Sequence, residues 1–312
     1  MEEQKVSKSL HMFNTALFIA VVFMIFLVGQ KSQQKREQVA VIKNETKSLE
    51  VFNNLSIKAK AVYVYDLTTN KVLYAKNENE QLPLASITKL MTALVAVELL
   101  PDNSNITIRS DFLKEEGDSG LIVSESWKMR DLLDFSLVTS SNDGARSLAS
   151  VIGAVTLKTA DYNLGRKDFI EKMNETAKKL GMSQSFFINE TGLDVDSKVS
   201  GGYGSAVDVN SLMKYMIVNY PEVLEPTKYS TVKISSDDKS HLGKNTNDFV
   251  GSVPGLFASK TGYTNMAGGN LTVAFDAGLA HPIIVTVLGS TQEGRFNDVE
   301  LLAGATIRYL NQ

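Results

Sequence analysis

Residues 90–97 read Leu-Met-Thr-Ala-Leu-Val-Ala-Val and are apolar on every side of a helix. A helix without a polar face has to be enclosed by protein. The run extends over 87–100, is halted by Pro101, and has Ser86 at its N-terminus. It therefore belongs in the middle of a domain, with other elements packed around it. Lys89 follows Ser86 by three positions, so the two share one helix face, and the amine is carried towards the interior.

The flanking sequence indicates what encloses that helix. Residues 61–66 and 71–76 are β-branched and aromatic runs about Thr68-Thr69-Asn70, the pattern of a hairpin. Strand patterning returns after Lys260, with 269–275 and 283–288 flanking a turn at 276–282. Between these regions the reading is helical and looped. Leucines recur at helical spacing over 127–137, ending at Thr139-Ser140-Ser141-Asn142. An amphipathic helix over 168–180 is stopped by Gly181, an apolar helix over 211–218 ends near Pro221, and 296–310 closes the chain as a helix. Strands at both ends with helices between predict an α+β fold. One antiparallel sheet is built from both ends of the domain and flanked by helices, with a mostly helical lobe beside it.

Composition removes several functions. A net charge of -3 gives no electrostatic case for nucleic acid. There is no cysteine, which rules out disulfides, thiolate catalysis and zinc–thiolate sites. The three histidines are His11, His241 and His281. None sits in H-E-x-x-H, and no G-x-S-x-G elbow exists for His241 or His281 to serve. His241, in the polar run Lys239-Ser240-His241, and His281, before Pro282, read as surface or turn residues. A hydrolase built from this chain must find its base elsewhere than histidine, and lysine is the remaining candidate. No metal or organic cofactor is implied.

Three motifs supply such chemistry, in order: Ser86-Ile87-Thr88-Lys89, Ser140-Ser141-Asn142 and Lys260-Thr261-Gly262. S-x-x-K alone is weak, since it also starts at Ser32, Ser211, Ser230 and Ser236. Only the copy at Ser86 opens a fully apolar helix and precedes both other motifs; Ser211 is the rival, heading an apolar helix with nothing catalytic after it in matching order. Burial and a neighbouring Lys260 would lower the pKa of Lys89, and a neutral Lys89 could take the proton of the Ser86 hydroxyl. The free N–H groups of the helix start suit a developing oxyanion.

The ordered trio resembles that of the low-molecular-weight penicillin-binding proteins, the serine D-alanyl-D-alanine carboxypeptidases of peptidase family S11, within the β-lactamase/transpeptidase-like superfamily. The resemblance covers roughly Lys60 to Asn311. It includes Pro83-Leu84-Ala85, Asn189-Glu190-Thr191-Gly192-Leu193, Ser205-Ala206-Val207-Asp208 and Asn245-Thr246-Asn247. It implies Ser86 as nucleophile, Lys89 as general base and Ser140 as proton relay between Lys260 and the leaving amine. Asn142 would bind the substrate amide and Lys89, and Lys260 and Thr261 the substrate carboxylate. Gly262 would let a substrate strand approach the sheet edge, the Tyr263 N–H would complete an oxyanion hole with that of Ser86, and Thr264 would line the site. Arg295 is similar in placement to the arginine such enzymes use near the terminal carboxylate. Expected partners are peptidoglycan stem peptides, with β-lactams as acylating inhibitors. Ser141, Gly144 and Phe257-Ala258-Ser259 depart from the usual family pattern without removing a catalytic group.

Residues 12–28 carry no charge and one strongly polar side chain, Asn14, and their length is at the short end of a membrane span. A signal peptide is the competing reading, but Leu27-Val28-Gly29-Gln30 lacks the small-x-small cleavage pattern. The expected organisation is a short cytoplasmic tail (1–11), a transmembrane anchor (12–29), a polar tether (30–58) and a penicillin-binding catalytic domain (59–312). The anchor is expected to stand in for the C-terminal amphipathic anchor common in the family. Lys5 and Lys8 on one side and Lys31, Lys35 and Arg36 on the other do not orient it, so placing the catalytic domain outside the cytoplasm of a bacterial cell rests on function.

Within the resembled family, a D,D-endopeptidase that cuts cross-links fits the same motifs, because the scissile bond is chemically alike, and two further functions share them. A serine β-lactamase would need a glutamate-activated water for deacylation, and Glu190 is the candidate. A penicillin-binding cell-wall sensor that does not turn over would be expected to carry a damaged trio.

Overall fold

A computed structural model describes residues 54–117 and 120–311 of the chain, together with 24, 26, 29–31, 33–35, 51 and 52. The chain divides into two units, 1–53 and 54–312. The described positions of the first unit are helical. The expected tail, and the expected span apart from Met24, Phe26 and Gly29, lie outside the described residues. No helix among the described residues is long and apolar enough to cross a membrane.

In the second unit, β1 (Ala61–Asp66) and β2 (Lys71–Lys76) form the expected hairpin. β3 (Leu82–Pro83) leads into a 3-10 turn, Ala85–Thr88, and then α1 (Lys89–Leu99). The helical lobe follows. β4 (Asn105–Thr107) pairs with β5 (Ser126–Lys128), and α2 (Met129–Thr139), α3 (Asn142–Leu157) and α4 (Tyr162–Lys179) succeed one another. β6 (Phe186–Phe187) and β7 (Gly202–Gly204) form a small sheet with β3, ahead of α5 (Ala206–Asn219) and the single turn α6 (Pro221–Leu224). The hairpin β8 (Thr231–Ser235) and β9 (Ser240–Lys244) precedes β10 (Leu256–Thr264), β11 (Gly268–Asp276), β12 (Pro282–Ser290) and α7 (Gly294–Leu310).

The main sheet has the order β10-β11-β12-β1-β2 and is antiparallel throughout. β1 pairs with β12, from Ala61 opposite Leu288 to Asp66 opposite Ile283, so the two ends of the domain meet in mid-sheet as expected. β11 and β12 are buried along nearly their whole length, because α5 and α7 both pack on the sheet. Helix α1 is buried from Lys89 to Ala96, enclosed by α2, α3, α4 and α5. Its lack of a polar face is thereby explained.

Several elements differ from the sequence reading. Trp127 lies on β5, and the leucine-bearing helix begins only at Met129. α4 starts six residues before the expected 168, because the Asp161 carboxylate caps it by accepting from the N–H groups of Asn163 and Leu164. α3 and the β8–β9 hairpin were not foreseen. His241 is not a surface residue: it lies buried on β9, with Nε2 2.5 Å from Glu125 Oε1 and its ring against Trp127 and Phe135. His281 does sit at a turn, with Nε2 2.8 Å from Asp66 Oδ2.

Candidate active site

Ser86 lies in the 3-10 turn ahead of α1 rather than in the helix itself. Ala85, just before it, has φ +48°, a region that side chains other than glycine rarely adopt. The loop 189–193 backs this turn closely: a Cβ on Gly192 would sit 1.9 Å from Ala85 O. That loop is itself held by Asn189, whose Oδ1 accepts from the N–H groups of Thr191 and Gly192.

Lys89 is 2% exposed, and its ammonium donates to three acceptors from three segments. They are Ser86 Oγ at 3.0 Å, Asn142 Oδ1 at 2.6 Å and Thr191 O at 2.9 Å. Burial pushes its pKa down to about 7, against an opposing pull from the carboxylates of Glu190 and Glu115. The Thr191 carbonyl was not foreseen as a ligand of this amine; the Asn189–Leu193 landmark was the available signal.

Ser140 terminates α2 in a left-handed conformation, φ +58°, and its Oγ accepts from Lys260 Nζ at 2.9 Å. Asn142 opens α3. While its Oδ1 serves Lys89, its Nδ2 donates to Glu116 O at 2.6 Å, so the amide expected to hold substrate already has a partner in the loop beside the cleft. The departures at 141 and 144 belong together. Ser141 Oγ caps α3 by accepting from Gly144 N, and a Cβ on Gly144 would sit 2.1 Å from Ser136 Oγ.

β10 forms the opposite wall and is an edge strand of the main sheet. Lys260 is buried and also donates to Thr261 O at 2.9 Å. Burial holds its pKa well below the usual lysine range, and the charges of Lys89 and Arg295 push it the same way. Thr261 Oγ1 lies 2.6 Å from Thr246 Oγ1. Besides the room expected for substrate, Gly262 has a close neighbour within the protein, the turn that carries Ser86. A Cβ there would come 2.8 Å from Leu84 O and 3.1 Å from the nitrogens of Ser86 and Ile87, so the glycine admits the nucleophile turn. The same closeness puts the Ser86 N–H beside the strand that carries the Tyr263 N–H. Tyr263 projects its ring outward, 44% exposed, and Thr264 Oγ1 donates to Asp194 Oδ1 at 3.1 Å.

Arg295 lies in the first turn of α7 and is buried. It is 7% exposed, its Nη1 donates to Gly262 O at 2.9 Å, and its Nε has no hydrogen-bond partner among the described residues. Glu190 is fully buried and both of its oxygens accept from Arg166 Nε at 2.9 Å, which occupies the carboxylate a class A deacylation would need free. Ser211, the rival S-x-x-K serine, lies on the exposed side of α5 with its hydroxyl on Val207 O. A cleft of about 660 Å³ opens beside the motifs, lined by Asn142, Leu193, Asp194, Tyr263 and Thr264 among others. Among the described residues, no group of histidine and acidic side chains is arranged to hold a metal ion. The arrangement is two amine–alcohol pairs, Lys89–Ser86 at the start of α1 and Lys260–Ser140 between β10 and the end of α2. It can move protons to and from an alcohol without histidine.

Comparison with known proteins agrees with this geometry. The family model for D-alanyl-D-alanine carboxypeptidases, peptidase family S11, matches residues 45–292. The D-alanyl-D-alanine carboxypeptidase DacF of Bacillus subtilis is 30% identical over 250 residues, which cover 78% of this chain but 60% of that protein. A D-alanyl-D-alanine endopeptidase of Haemophilus influenzae is 32% identical over 220 residues, 68% of this chain and 69% of that one. Among solved structures, penicillin-binding protein D2 of Listeria monocytogenes in its ampicillin-bound form superposes with a TM-score of 0.68 at 32% identity, covering 81% of this chain and 98% of the other. By these matches the chain belongs to the D-alanyl-D-alanine carboxypeptidases of peptidase family S11.

Proposed function

We propose that this protein is a serine D-Ala-D-Ala carboxypeptidase that removes the terminal D-alanine from peptidoglycan stem peptides through an acyl-enzyme on Ser86. The observation that carries the reading is the 3.0 Å hydrogen bond between Lys89 Nζ and Ser86 Oγ inside a buried network. A lysine with a pKa near 7 is divided between its two protonation states at neutral pH, so a base is present without histidine.

In acylation, neutral Lys89 takes the proton of the Ser86 hydroxyl as Oγ bonds to the carbonyl carbon of the penultimate residue. The N–H groups of Ser86 and Tyr263 stabilise the oxyanion. The C–N bond then breaks, and the leaving amine of D-alanine receives its proton through Ser140, which Lys260 holds. Lys260, Thr261 and Arg295 bind the terminal carboxylate, and the Asn142 amide exchanges its Glu116 partner for the substrate backbone. Water returned through the same base releases the acyl group. A β-lactam carries the same carbonyl and anion and would acylate Ser86 in the same way; the ampicillin complex of the Listeria relative supports this.

The uncharged stretch 12–28 supports membrane anchorage with the catalytic unit outside the cytoplasm, where peptidoglycan is found. Intact-protein mass spectrometry after benzylpenicillin tests the chemistry. One covalent adduct is expected, absent in Ser86→Ala, with D-alanine released from a peptide ending in D-Ala-D-Ala. An adduct that persists in Ser86→Ala would overturn the assignment of the nucleophile.

A further inference from the structure

Thr246 lies outside the three catalytic motifs, in the segment that joins β9 to β10, and is held from both sides of the crevice. Its N–H donates to Val138 O near the end of α2, at 3.2 Å, two residues before Ser140. Its Oγ1 lies 2.6 Å from Thr261 Oγ1 on β10. The neighbouring residues fix the segment. Asn245 Nδ2 donates to Thr227 O and Tyr229 O at 2.9 and 2.8 Å, and Asn245 Oδ1 accepts from Asn247 N at 2.8 Å. Phe249 stacks on Phe296, adjacent to Arg295, with ring centroids 4.7 Å apart.

A proton count gives the pair its meaning. Two hydroxyls carry two protons, and the bond between them uses one. Whichever threonine donates, the other keeps an O–H with no partner among the described residues. Arg295 likewise keeps a buried Nε–H without a partner. Spare donors on both sides of β10, together with the Lys260 amine, complement a carboxylate better than any neutral group.

We infer that Thr246 is a positioning residue for the terminal carboxylate of the substrate: it fixes the Thr261 hydroxyl so that the pair presents one O–H to that anion. The inference rests on acyl transfer at Ser86 and adds to it a residue for the leaving group. The single O–H that reaches the carboxylate is then set by two residues from separate segments, one on the sheet and one on the loop that fastens to the helical lobe. An interaction of that kind is made in the ground state and the transition state alike, so its loss raises KM and leaves kcat in place.

The test uses two thioester donors of D-alanine, one whose leaving group carries a carboxylate and an otherwise similar one in which that group is an amide. Thr246→Val is expected to raise KM about tenfold for the charged donor, the scale of one hydrogen bond to an ion, with kcat within about twofold. The amide donor should be unaffected, and Thr246→Ser should restore KM. Equal losses on both donors, no loss on either, or failure of the serine variant to rescue would overturn the inference. The serine variant also keeps the test decisive if the valine variant folds poorly. Wild-type protein that turns over neither donor and takes up no benzylpenicillin would instead remove the Ser86 reading, and this inference with it.

Discussion

The two buried amines of the site occupy unlike surroundings. Lys89, at the start of α1, has three acceptors and two carboxylates in its field. Lys260, on β10, has two acceptors and two cations in its field. Burial lowers both pKa values, but the electrostatic surroundings oppose that shift for Lys89 and add to it for Lys260. The helix side is thus arranged around a base that exchanges protons near neutrality. The strand side is short of negative charge, and a bound carboxylate would supply it. One amine is tuned for chemistry and the other for an anion.

The sharpest way to break this contrast is to delete each amine in turn. Lys89→Met should lower the rate of Ser86 acylation by about 10³–10⁴-fold, the upper range for loss of a general base, as followed with fluorescent penicillin. Lys89→Arg should not rescue it, because a guanidinium stays charged. Lys260→Met should cost less, about 10²-fold in D-alanine release, with a clear rise in KM. The two should also part in thermal unfolding. Lys89→Met strands Asn142 Oδ1 and Thr191 O and should lower the midpoint, whereas Lys260→Met relieves an amine crowded by cations and should lower it less or raise it. Equal losses from the two variants in both assays would abolish the distinction.

A third variant separates the two sides physically. Gly262→Ala places a methyl 2.8 Å from Leu84 O and should push the nucleophile turn off β10. Overpacking of this kind costs about 1–3 kcal/mol, readable by calorimetry, and acylation should slow with it. The smallest effect concerns pH. Acylation should rise with pH through about 7, as Lys89 loses its proton, and level off above. Glu190→Gln removes a carboxylate that favours the ammonium, so the rise should move to lower pH. A shift upward, or a profile without a limb near 7, would contradict the assignment of Lys89 as base.

Which parts of the molecule were legible in the sequence follows from where local pattern and tertiary context agree. The sheet joined from both ends was readable, because β1, β11 and β12 are built on β-branched, aromatic and apolar stretches at 61–65, 271–275 and 283–288. The enclosed helix was readable from its lack of a polar face. α3 was not: Ser147, Ser150 and two glycines interrupt its apolar pattern, and its start is set by Ser141 reaching Gly144. The β8–β9 hairpin hid behind lysines and aspartates that face outward, while His241 turned inward to Glu125, a partner 116 positions away that no local pattern announces. In the site, the resemblance of the three ordered motifs to a known family picked out Ser86, Lys89, Ser140, Asn142 and Lys260, which the fold brings into two hydrogen-bonded clusters. The reason for Gly262 and the Thr246 contact depend on backbone approaches between distant segments and could not be read from either segment alone.

Asp298, buried on α7, accepts from the N–H groups of Lys58 and Ala59 at 2.9 and 2.8 Å, and from Ser290 Oγ at 2.6 Å. Directly after that clasp, Lys60 N donates to Leu288 O and the chain runs into the interior of the sheet as β1. Tension applied ahead of Ser56 would therefore meet the carboxylate lock together with Lys76, whose Nζ donates to Ile57 O and Ala59 O, and then a strand bonded along both flanks. It would have to slide many bonds at once instead of opening them one by one. The crevice lies at the far edge, on β10, three strands from the point of loading, so tugging on the leading segment should leave the reacting groups undisturbed.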